Sequence, residues 1–280
     1  MEVLTDILNG LRATGSVYFC DFLVPPWELT FEDEERATFH LVRRGRCRVR
    51  IGDESHALET GDFIFLAPGS DHKLCGDDAG DPDTLLLCGY CAFDSADDDV
   101  LTRALPGFVL LRRDELDQWP WLLRTLDHLG AEYQSGAPGS ELTVNKLTEV
   151  LLVQLLRADF GRRQDTGIIS ALRDKRIASA LAAIHEQPGD DWTIERAADV
   201  AAMSRSGFAR RFKELLEQSF FDYLTKLRMR NARDLLTSST LSVGDIGERV
   251  GYQSELSFVK AFKKQHAVTP RAYRLQSKAG

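Results

Sequence analysis

The chain has 280 residues, of which 43% are hydrophobic and 28% are charged, a composition typical of soluble globular proteins. At this length two domains can each bury a core of their own. No apolar run approaches the roughly 20 residues of a membrane-spanning helix, so the sequence predicts no membrane partner. The opening stretch MEVLTDILNGLRATG has acidic residues and no basic n-region, which is atypical of a secretory signal peptide and predicts a cytoplasmic protein.

Charge is divided unevenly along the chain. Residues 168–280 contain 19 Lys and Arg against 13 Asp and Glu, a balance of +6. Residues 1–167 contain 16 against 30, a balance of -14, which gives the formal net charge of -8. An acidic first half and a basic second half predict different partners. All 5 cysteines lie in the acidic half, and an odd number without an export signal favours reduced thiols.

Residues 17–93 have the pattern of short strands joined by turns. In RCRVRI (46–51) three arginines alternate with Cys47, Val49 and Ile51, which predicts a strand with one polar and one apolar face. Several such strands at this spacing favour an antiparallel barrel or sandwich.

The stretch GDFIFLAPGSDH (61–72) resembles the second motif of the cupin barrel, in which a Gly-Asp turn, an apolar strand and Pro-Gly precede a histidine. Ala67 stands where a proline is common. Metal-dependent cupins also have a first motif, which contributes two histidines and a glutamate. Counting back from Gly45 puts Thr38 at the glutamate position and residues 31–33 at the histidine pair, so those ligands are absent.

Two histidines remain as candidates for the barrel interior. Strand parity puts His40 on the same face as Thr38, so His40 and His72 are both predicted to point inward. Two imidazoles are too few for a zinc site unless a thiolate such as Cys47 or Cys75 joins them. We therefore expect no cofactor and interpret His40 and His72 as the lining of an effector pocket, with a bound metal as the alternative.

The segment CGYC has the CxxC spacing of redox motifs, but those motifs open helices. Here the segment continues an apolar strand, and strand residues three apart point to opposite faces. Cys88 and Cys91 are therefore predicted to be core thiols.

From Trp119 to Arg163 the apolar period becomes helical and predicts two helices. The second helix is apolar over more than one face. It can pack on the barrel with one side and on a second subunit with the other; burial within its own domain is the alternative. The polar stretch GRRQDTG (161–167) is predicted to be a linker.

The basic half contains the same unit twice. Each unit has a helix capped by Thr193 or Ser242, a tight turn, and a second helix capped by Ser204 or Ser254. The second helices carry phenylalanines four residues apart at matched positions: Phe208 and Phe212, Phe258 and Phe262. Each unit is thus predicted to be a helix-turn-helix. The amphipathic stretch between them (220–237), about 27 Å long as a helix, can hold two recognition helices about one DNA turn (roughly 34 Å) apart.

The segment GYQSELSFVKAFKKQHAVTPRAYR resembles the signature of the AraC/XylS family of bacterial transcription regulators, and MSRSGFARRFKEL resembles that family's first recognition helix. The cupin-like half, with FHLVRRGRC and LLLCGYCAFD, is similar to a subgroup of those regulators, so the resemblance covers most of the chain. It implies an α+β protein. Residues 1–166 would form a cupin-like antiparallel β-barrel with a helical hairpin, and residues 167–280 an all-α double helix-turn-helix domain.

The sequence departs from the family pattern at the ends of the recognition helices. Glu217 and Ala267 replace glycines, which are favoured there because left-handed geometry is costly for other residues. Ser219 and Phe220 replace a proline-containing turn, and Gly247 stands where alanine is common. We expect modestly reduced stability and no change of fold.

The resemblance implies that both recognition helices contact DNA. The base-reading candidates are Ser206, Ala209 and Arg210 on the first helix and Glu255, Ser257 and Lys260 on the second. Arg210 is the best candidate for reading a guanine. The phosphate-binding candidates are Ser204, Arg211, Ser254, Lys263 and Lys264, and Arg205 is assigned to the same surface.

The sequence thus predicts a sequence-specific DNA-binding transcription regulator rather than an enzyme. Its expected partners are double-stranded DNA, RNA polymerase and a second copy of the chain; the family mostly activates, and some members repress. The alternatives are a metal-dependent cupin enzyme with an accessory DNA-binding domain and a ligand-independent regulator whose barrel only dimerises. The expected signal is a small effector near His40 and His72, or an oxidant sensed by Cys20 and Cys88 on neighbouring strands.

Overall fold

The computed structural model describes residues 3–11, 13–32, 35–76, 83–92, 107–159 and 167–276. They divide into two compact units. The barrel unit comprises the described residues from 13 to 159, and the helical unit comprises residues 3–11 together with 167–276. No helix in the described ranges is long and apolar enough to cross a membrane.

The barrel unit is built from two antiparallel sheets that face each other. Its strands are β1 (Thr14–Leu23), β2 (Trp27–Phe31), β3 (Ala37–Arg44), β4 (Arg46–Ile51), β5 (Glu54–Glu59), β6 (Phe63–Leu66), β7 (His72–Gly76), β8 (Thr84–Ala92) and β9 (Phe108–Leu111). One sheet has the order β1-β8-β3-β6-β9 and the other the order β2-β7-β4-β5. The predicted antiparallel β-structure of the first half is confirmed.

Alternation along the strands places the core between these sheets. In β4 the three arginines are exposed, whereas Cys47 and Val49 are buried, as RCRVRI predicted. The core contains apolar side chains from both sheets: Val42, Cys47, Val49, Leu58, Ile64, Leu66, Leu74, Leu86 and Cys88. Burial of this apolar surface is the main stabilising contribution to such a sandwich.

A helical hairpin packs on the outside of the five-stranded sheet. After the short α2 (Arg113–Leu116), it consists of α3 (Pro120–Ser135) and α4 (Ser140–Asp159), which agrees with the predicted helical period. Helix α4 lies so close to β1 that a Cβ on Gly15 would collide with the side chain of Thr148. The predicted linker lies almost entirely outside the described residues.

The helical unit contains the two predicted helix-turn-helix motifs. Its helices are α1 (Val3–Leu11), α5 (Ile168–Arg173), α6 (Lys175–Glu186), α7 (Ile194–Val200), α8 (Arg205–Leu216), α9 (Phe220–Ser238), α10 (Val243–Arg249), α11 (Glu255–His266) and α12 (Pro270–Gln276). The first motif, HTH1, is α7 and α8, and the second, HTH2, is α10 and α11. The side chains of Thr193, Ser204, Ser242 and Ser254 each accept a backbone N–H at the start of their helix, so all four predicted caps are confirmed.

The N-terminal helix α1 belongs by its contacts to the helical unit, although it lies at the other end of the sequence. Val3, Leu4 and Ile7 are buried. The Asp6 carboxylate accepts hydrogen bonds from His185 Nδ1 at 2.5 Å and from Arg230 Nη2 at 2.6 Å. Residues of α1, α6 and α9 are thereby joined in one polar cluster.

Three residues other than glycine have left-handed backbone geometry in the helical unit. Glu217 (φ 56°) and Ala267 (φ 61°) end the two recognition helices, and Ala202 (φ 49°) lies in the turn of HTH1. Left-handed geometry costs an L-residue roughly 1–2 kcal/mol. The absence of glycine at residues 217 and 267 therefore leaves strain at both helix ends without changing the fold.

Candidate nucleic-acid interface and barrel interior

The first recognition helix, α8, has one buried and one exposed face. The hydroxyl of Ser204 accepts the backbone N–H of Gly207 at 3.2 Å and starts the helix. The buried residues are Phe208, Phe212, Leu215 and Leu216. On the other side Ser206 and Arg210 are exposed and Ala209 is half-buried. The predicted base-reading residues thus share a face directed away from the core.

The arginines of α8 already have carboxylate neighbours. The pairs are Arg205 with Glu195 at 2.8 Å, Arg211 with Asp174 at 2.9 Å, and Arg210 with Glu214 at 3.7 Å. Exposed ion pairs of this kind contribute little to stability, so a DNA phosphate can replace the carboxylate. The exchange reduces the net electrostatic gain on binding.

The structure adds a basic segment that sequence reasoning missed, at the start of α6. Lys175 and Arg176 border an open cavity of about 620 Å³ beside α8. The cavity is lined by Asp174, Lys175, Arg176, Met203, Gly207, Arg210, Arg211 and Glu214. Cations in the first turn of a helix oppose its dipole. The pair of basic residues directly after the Asp174 cap was therefore the unusual feature by which the sequence could have drawn attention to this segment.

The second recognition helix, α11, repeats the layout with different chemistry. Phe258 and Phe262 are buried, and every predicted contact residue on this helix is exposed: Glu255, Ser257, Lys260, Lys263 and Lys264. In the described part of the chain, no carboxylate pairs with these three lysines. The Ser257 hydroxyl donates to the Ser254 carbonyl at 2.7 Å, so it must exchange this bond to contact a base.

One residue of α11 was overlooked in the sequence. Leu256 is a large apolar side chain that is 66% exposed on this helix. Matching Phe258 with Phe208 puts Leu256 at the position of Ser206, and this alignment was the available clue. An exposed leucine on a recognition helix can contact the methyl group of thymine.

Helix α9 connects the two motifs and contributes to both cores. Its 19 residues span about 28 Å. Near its start, Phe220 and Tyr223 pack edge-on against Phe212 of HTH1. Towards its end, Met229 and Leu236 belong to the core of HTH2.

The two histidines of the barrel lie in its interior, as predicted, and they bond to each other. His40 on β3 and His72 on β7 approach Nε2 to Nε2 at 2.8 Å, which joins the two sheets. His72 Nδ1 donates to the Ser70 carbonyl at 2.8 Å, so a neutral His72 accepts at Nε2 from His40. Phe31 stacks on His72, with ring centroids 4.6 Å apart.

Burial and the neighbouring His72 hold the pKa of His40 well below its ordinary value, so the ring is neutral. Its Nδ1 is a buried acceptor without a hydrogen-bond partner among the described residues. Within the same residues no group of three His, Cys, Asp or Glu side chains could hold a metal ion. Within the described residues, the space between the two sheets therefore offers the unsatisfied Nδ1 of His40 to a ligand but no group of side chains that could hold a metal ion.

All five cysteines are free and buried. Burial raises the pKa of Cys47 and Cys91 to about 12 and raises that of Cys88 well above its usual range. CGYC is part of strand β8, as predicted, with both cysteines in the core.

Cys20 and Cys88 lie on paired strands, but they do not face each other. Phe19 is opposite Cys88, and Cys20 is opposite Leu87. Directly opposed residues share a face and adjacent residues on one strand do not, so Cys20 shares the face of Leu87 and points away from the side of Cys88. Cys88 lies in the core between the sheets, whereas Cys20 lies 3.7 Å from Arg43 Nη1. The contact that a disulfide requires is absent in this register.

Comparison with known proteins agrees with both halves of this description. Residues 2–161 match the cupin family, and residues 197–276 match a helix-turn-helix domain family. An uncharacterized HTH-type transcriptional regulator of Haemophilus influenzae is 31% identical over 98% of each chain. The RCS-specific HTH-type transcriptional activator RclR of Escherichia coli is 28% identical over 98% of this chain and 97% of its own.

A solved structure of the AdpA DNA-binding domain with a target DNA covers 36% of this chain and 92% of its own, at 31% identity and a TM-score of 0.36. The curated relatives align over 98% of this chain, so the similarity extends over both the cupin half and the helix-turn-helix half. The chain therefore belongs to the AraC family of helix-turn-helix transcription regulators with an N-terminal cupin domain.

Proposed function

We propose that this protein is a cytoplasmic transcription activator, not an enzyme, that recognises one specific DNA site with both of its motifs. The observation that supports this most is the common layout of α8 and α11. Each buries two phenylalanines and exposes a polar, cationic face, and α9 connects them over about 28 Å. The RclR relative is named as an activator, which supports activation rather than repression of transcription.

Within this proposal the contacts divide into two kinds. Arg210 and Lys260 read bases, together with Ser206, Ala209, Glu255 and Ser257, and Leu256 adds an apolar contact. The remaining contacts bind phosphates and set the register on the duplex: Lys175, Arg176, Ser204, Arg205, Arg211, Ser254, Lys263 and Lys264.

The test is selection of binding sites from random duplex DNA with the full-length protein. For each bound subunit it should recover two conserved blocks about one helical turn apart. Affinity for this site should exceed affinity for shuffled DNA at least about a thousandfold at physiological salt. Selection that yields no enriched motif would contradict the proposal.

We further propose that the barrel unit senses the signal and that the chain acts as a homodimer that recruits RNA polymerase. Apolar side chains exposed on α3 and α4 support a second subunit: Trp121, Leu142 and Val150 are 73%, 65% and 45% exposed. Light scattering should give the mass of a dimer at micromolar concentration. A Leu142→Glu variant should be monomeric, because it places a charge on that surface.

For the signal we favour a small effector that donates a hydrogen bond to the unsatisfied Nδ1 of His40. Binding at this place should raise the melting temperature of the protein, and His40→Phe should abolish the shift.

The alternative is an oxidant sensed at the cysteines. Reporter induction by hypochlorite that is lost in Cys20→Ser or Cys88→Ser would favour the oxidant, and induction unchanged in both would exclude these thiols.

A further inference from the structure

Two loops of the helical unit meet backbone to backbone, one directly before HTH1 and one within HTH2. The first joins α6 to α7 of HTH1 and contains Gly189. The second is the turn of HTH2 and contains Gly251 (φ 89°). A Cβ on Gly251 would lie 2.5 Å from the Gly189 carbonyl, and one on Gly189 would collide with the Arg249 carbonyl. Glycine at both positions permits this close approach.

Arg228 of the connecting helix α9 bonds to both loops. Its Nε donates to the Pro188 carbonyl at 2.8 Å, and its Nη2 donates to the Asp190 carbonyl at 2.7 Å. Its Nη1 donates to the Gly251 carbonyl at 3.3 Å. One planar guanidinium therefore connects the loop that leads into HTH1, the turn of HTH2 and the helix between the two motifs.

The bonds of Arg228 are better suited to fixing the relative orientation of the two motifs than to holding the motifs together. The two motifs are already connected covalently through α9, so Arg228 is not required to keep them together. A guanidinium has five donors in a rigid plane, and its acceptors here are main-chain carbonyls whose positions the fold determines. Rotation of HTH2 relative to HTH1 would break these bonds and leave half-buried donors and carbonyls unsatisfied.

We infer that Arg228 is a positioning residue for DNA specificity, which fixes the angle and separation of the two recognition helices and so sets the spacing between the two halves of the DNA site. The inference rests on the proposed function, because spacing has meaning only if both motifs bind one duplex. Each added base pair moves the second half-site by about 3.4 Å and turns it by about a tenth of a helical turn. A rigid pair of helices discriminates strongly against such a change.

The experiment measures affinity of the full-length protein for the selected site and for versions with one base pair removed or with one or two added between the blocks. Arg228→Met keeps an unbranched side chain about as long as the aliphatic part of arginine and removes every donor. Arg230→Met is the matched control: it lies two residues further along α9 and loses a bond to Asp6, which does not link the two motifs. Arg228→Lys serves as a second variant, in which a single nitrogen replaces the three guanidinium nitrogens that bond to the three carbonyls.

Wild type and Arg230→Met should lose at least about tenfold in affinity for each one-base-pair change. Arg228→Met should bind the best site about tenfold more weakly and lose less than about threefold when the spacing changes, because its motifs are no longer preorganised. Arg228→Lys should lie between them, and it decides the matter if Arg228→Met does not fold.

An Arg228→Met or Arg228→Lys protein with the spacing profile of wild type would overturn the positioning role and leave the proposed function standing. A wild-type protein that selects no two-part site would overturn both. The two failures are therefore distinguishable in one data set.

Discussion

The two helix-turn-helix motifs share one layout but differ in how their cations are used. In HTH1 the three arginines of α8 lie within 2.8–3.7 Å of carboxylates. In HTH2 no carboxylate of the described residues pairs with the lysines of α11. The comparison indicates a division of roles. Under the proposed function, HTH2 would supply unpaired charge for phosphates, whereas binding by HTH1 would require exchange of existing partners and so depend more on correct base contacts.

The motifs also differ in how they are supported. The turn of HTH2 has Gly251, which the Gly189 carbonyl and Arg228 leave without room for a side chain, whereas the turn of HTH1 tolerates Ala202. Asp6 joins α1 to α6 and α9, and His185 of this cluster also bonds to Tyr223, whose ring packs on Phe212 of HTH1. One motif is thus constrained by close backbone packing, and the other by a polar cluster.

The largest expected effect tests the difference between the turns. Gly251→Ala should lower the free energy of unfolding by about 3 kcal/mol, because a side chain is strained at this φ and contacts backbone atoms. The matched change Ala202→Gly in HTH1 should raise it by up to about 1 kcal/mol. Urea titration measures the change in free energy of unfolding for each variant. Changes of the same sign and size would contradict the proposed difference between the two turns.

The second test removes the support of HTH1. Asp6→Ala should destabilise the helical unit by about 2 kcal/mol, because it leaves His185 and Arg230 without their carboxylate. A double-mutant cycle with Arg230→Met should show coupling, whereas a cycle of Asp6→Ala with Lys263→Ala should be additive. Additivity in the first cycle would rule out a role for the ion pair in stability.

The Asp6 carboxylate makes the stability of the protein depend on pH. Burial opposes ionisation of Asp6, but the hydrogen bond from His185 and the charge of Arg230 outweigh it and lower its pKa. A lowered folded pKa means that the stabilising contribution is present above the unfolded pKa of about 3.9 and is lost as pH falls through the folded value. The difference in stability between wild type and Asp6→Ala should therefore shrink at strongly acidic pH.

A third test concerns base reading. Arg210→Ala should weaken the free energy of binding to the selected site by about 1–3 kcal/mol and that to random DNA by much less. Lys263→Ala in HTH2 should weaken binding to both DNAs about equally. Equal losses on both DNAs for Arg210→Ala would assign it to the phosphates instead.

The salt dependence of binding should show the difference between paired and unpaired cations. Lys263→Ala should reduce the slope of log affinity against log salt by about 1. Arg211→Ala should reduce it by less, because Arg211 exchanges Asp174 for a phosphate when DNA binds. Fluorescence anisotropy from low to physiological salt measures both slopes, and a larger change for Arg211→Ala would reverse the assignment.

The smallest effect concerns the helix ends that the motifs have in common. Glu217→Gly and Ala267→Gly should each raise the free energy of unfolding by about 0.5–1 kcal/mol, because glycine adopts left-handed geometry without steric cost. Gly52→Ala, on a left-handed glycine of the barrel unit with open space around it, should have the opposite sign. Destabilisation by either glycine would show that the native side chains contribute more than their strain costs.

Much of the fold could be predicted because its signals are local. Alternation in RCRVRI indicated the faces of β4, and Ser204 and Ser254 marked the starts of the recognition helices. The left-handed ends at Glu217 and Ala267 were expected from the resemblance to the family, which usually has glycine at these positions. Strand parity likewise put His40 and His72 in the interior. In each case a few neighbouring residues determine the backbone geometry, so one sequence suffices.

The sequence by itself thus determined the order of strands and helices, their inward faces and the chemistry of the recognition helices. Only the tertiary structure decided which distant groups meet. The register of β1 on β8 puts Cys20 and Cys88 on opposite faces, and a single residue of slip would reverse this. Contacts such as those of Arg228 with Gly251 join residues that no local periodicity relates, because packing of whole elements sets their distances.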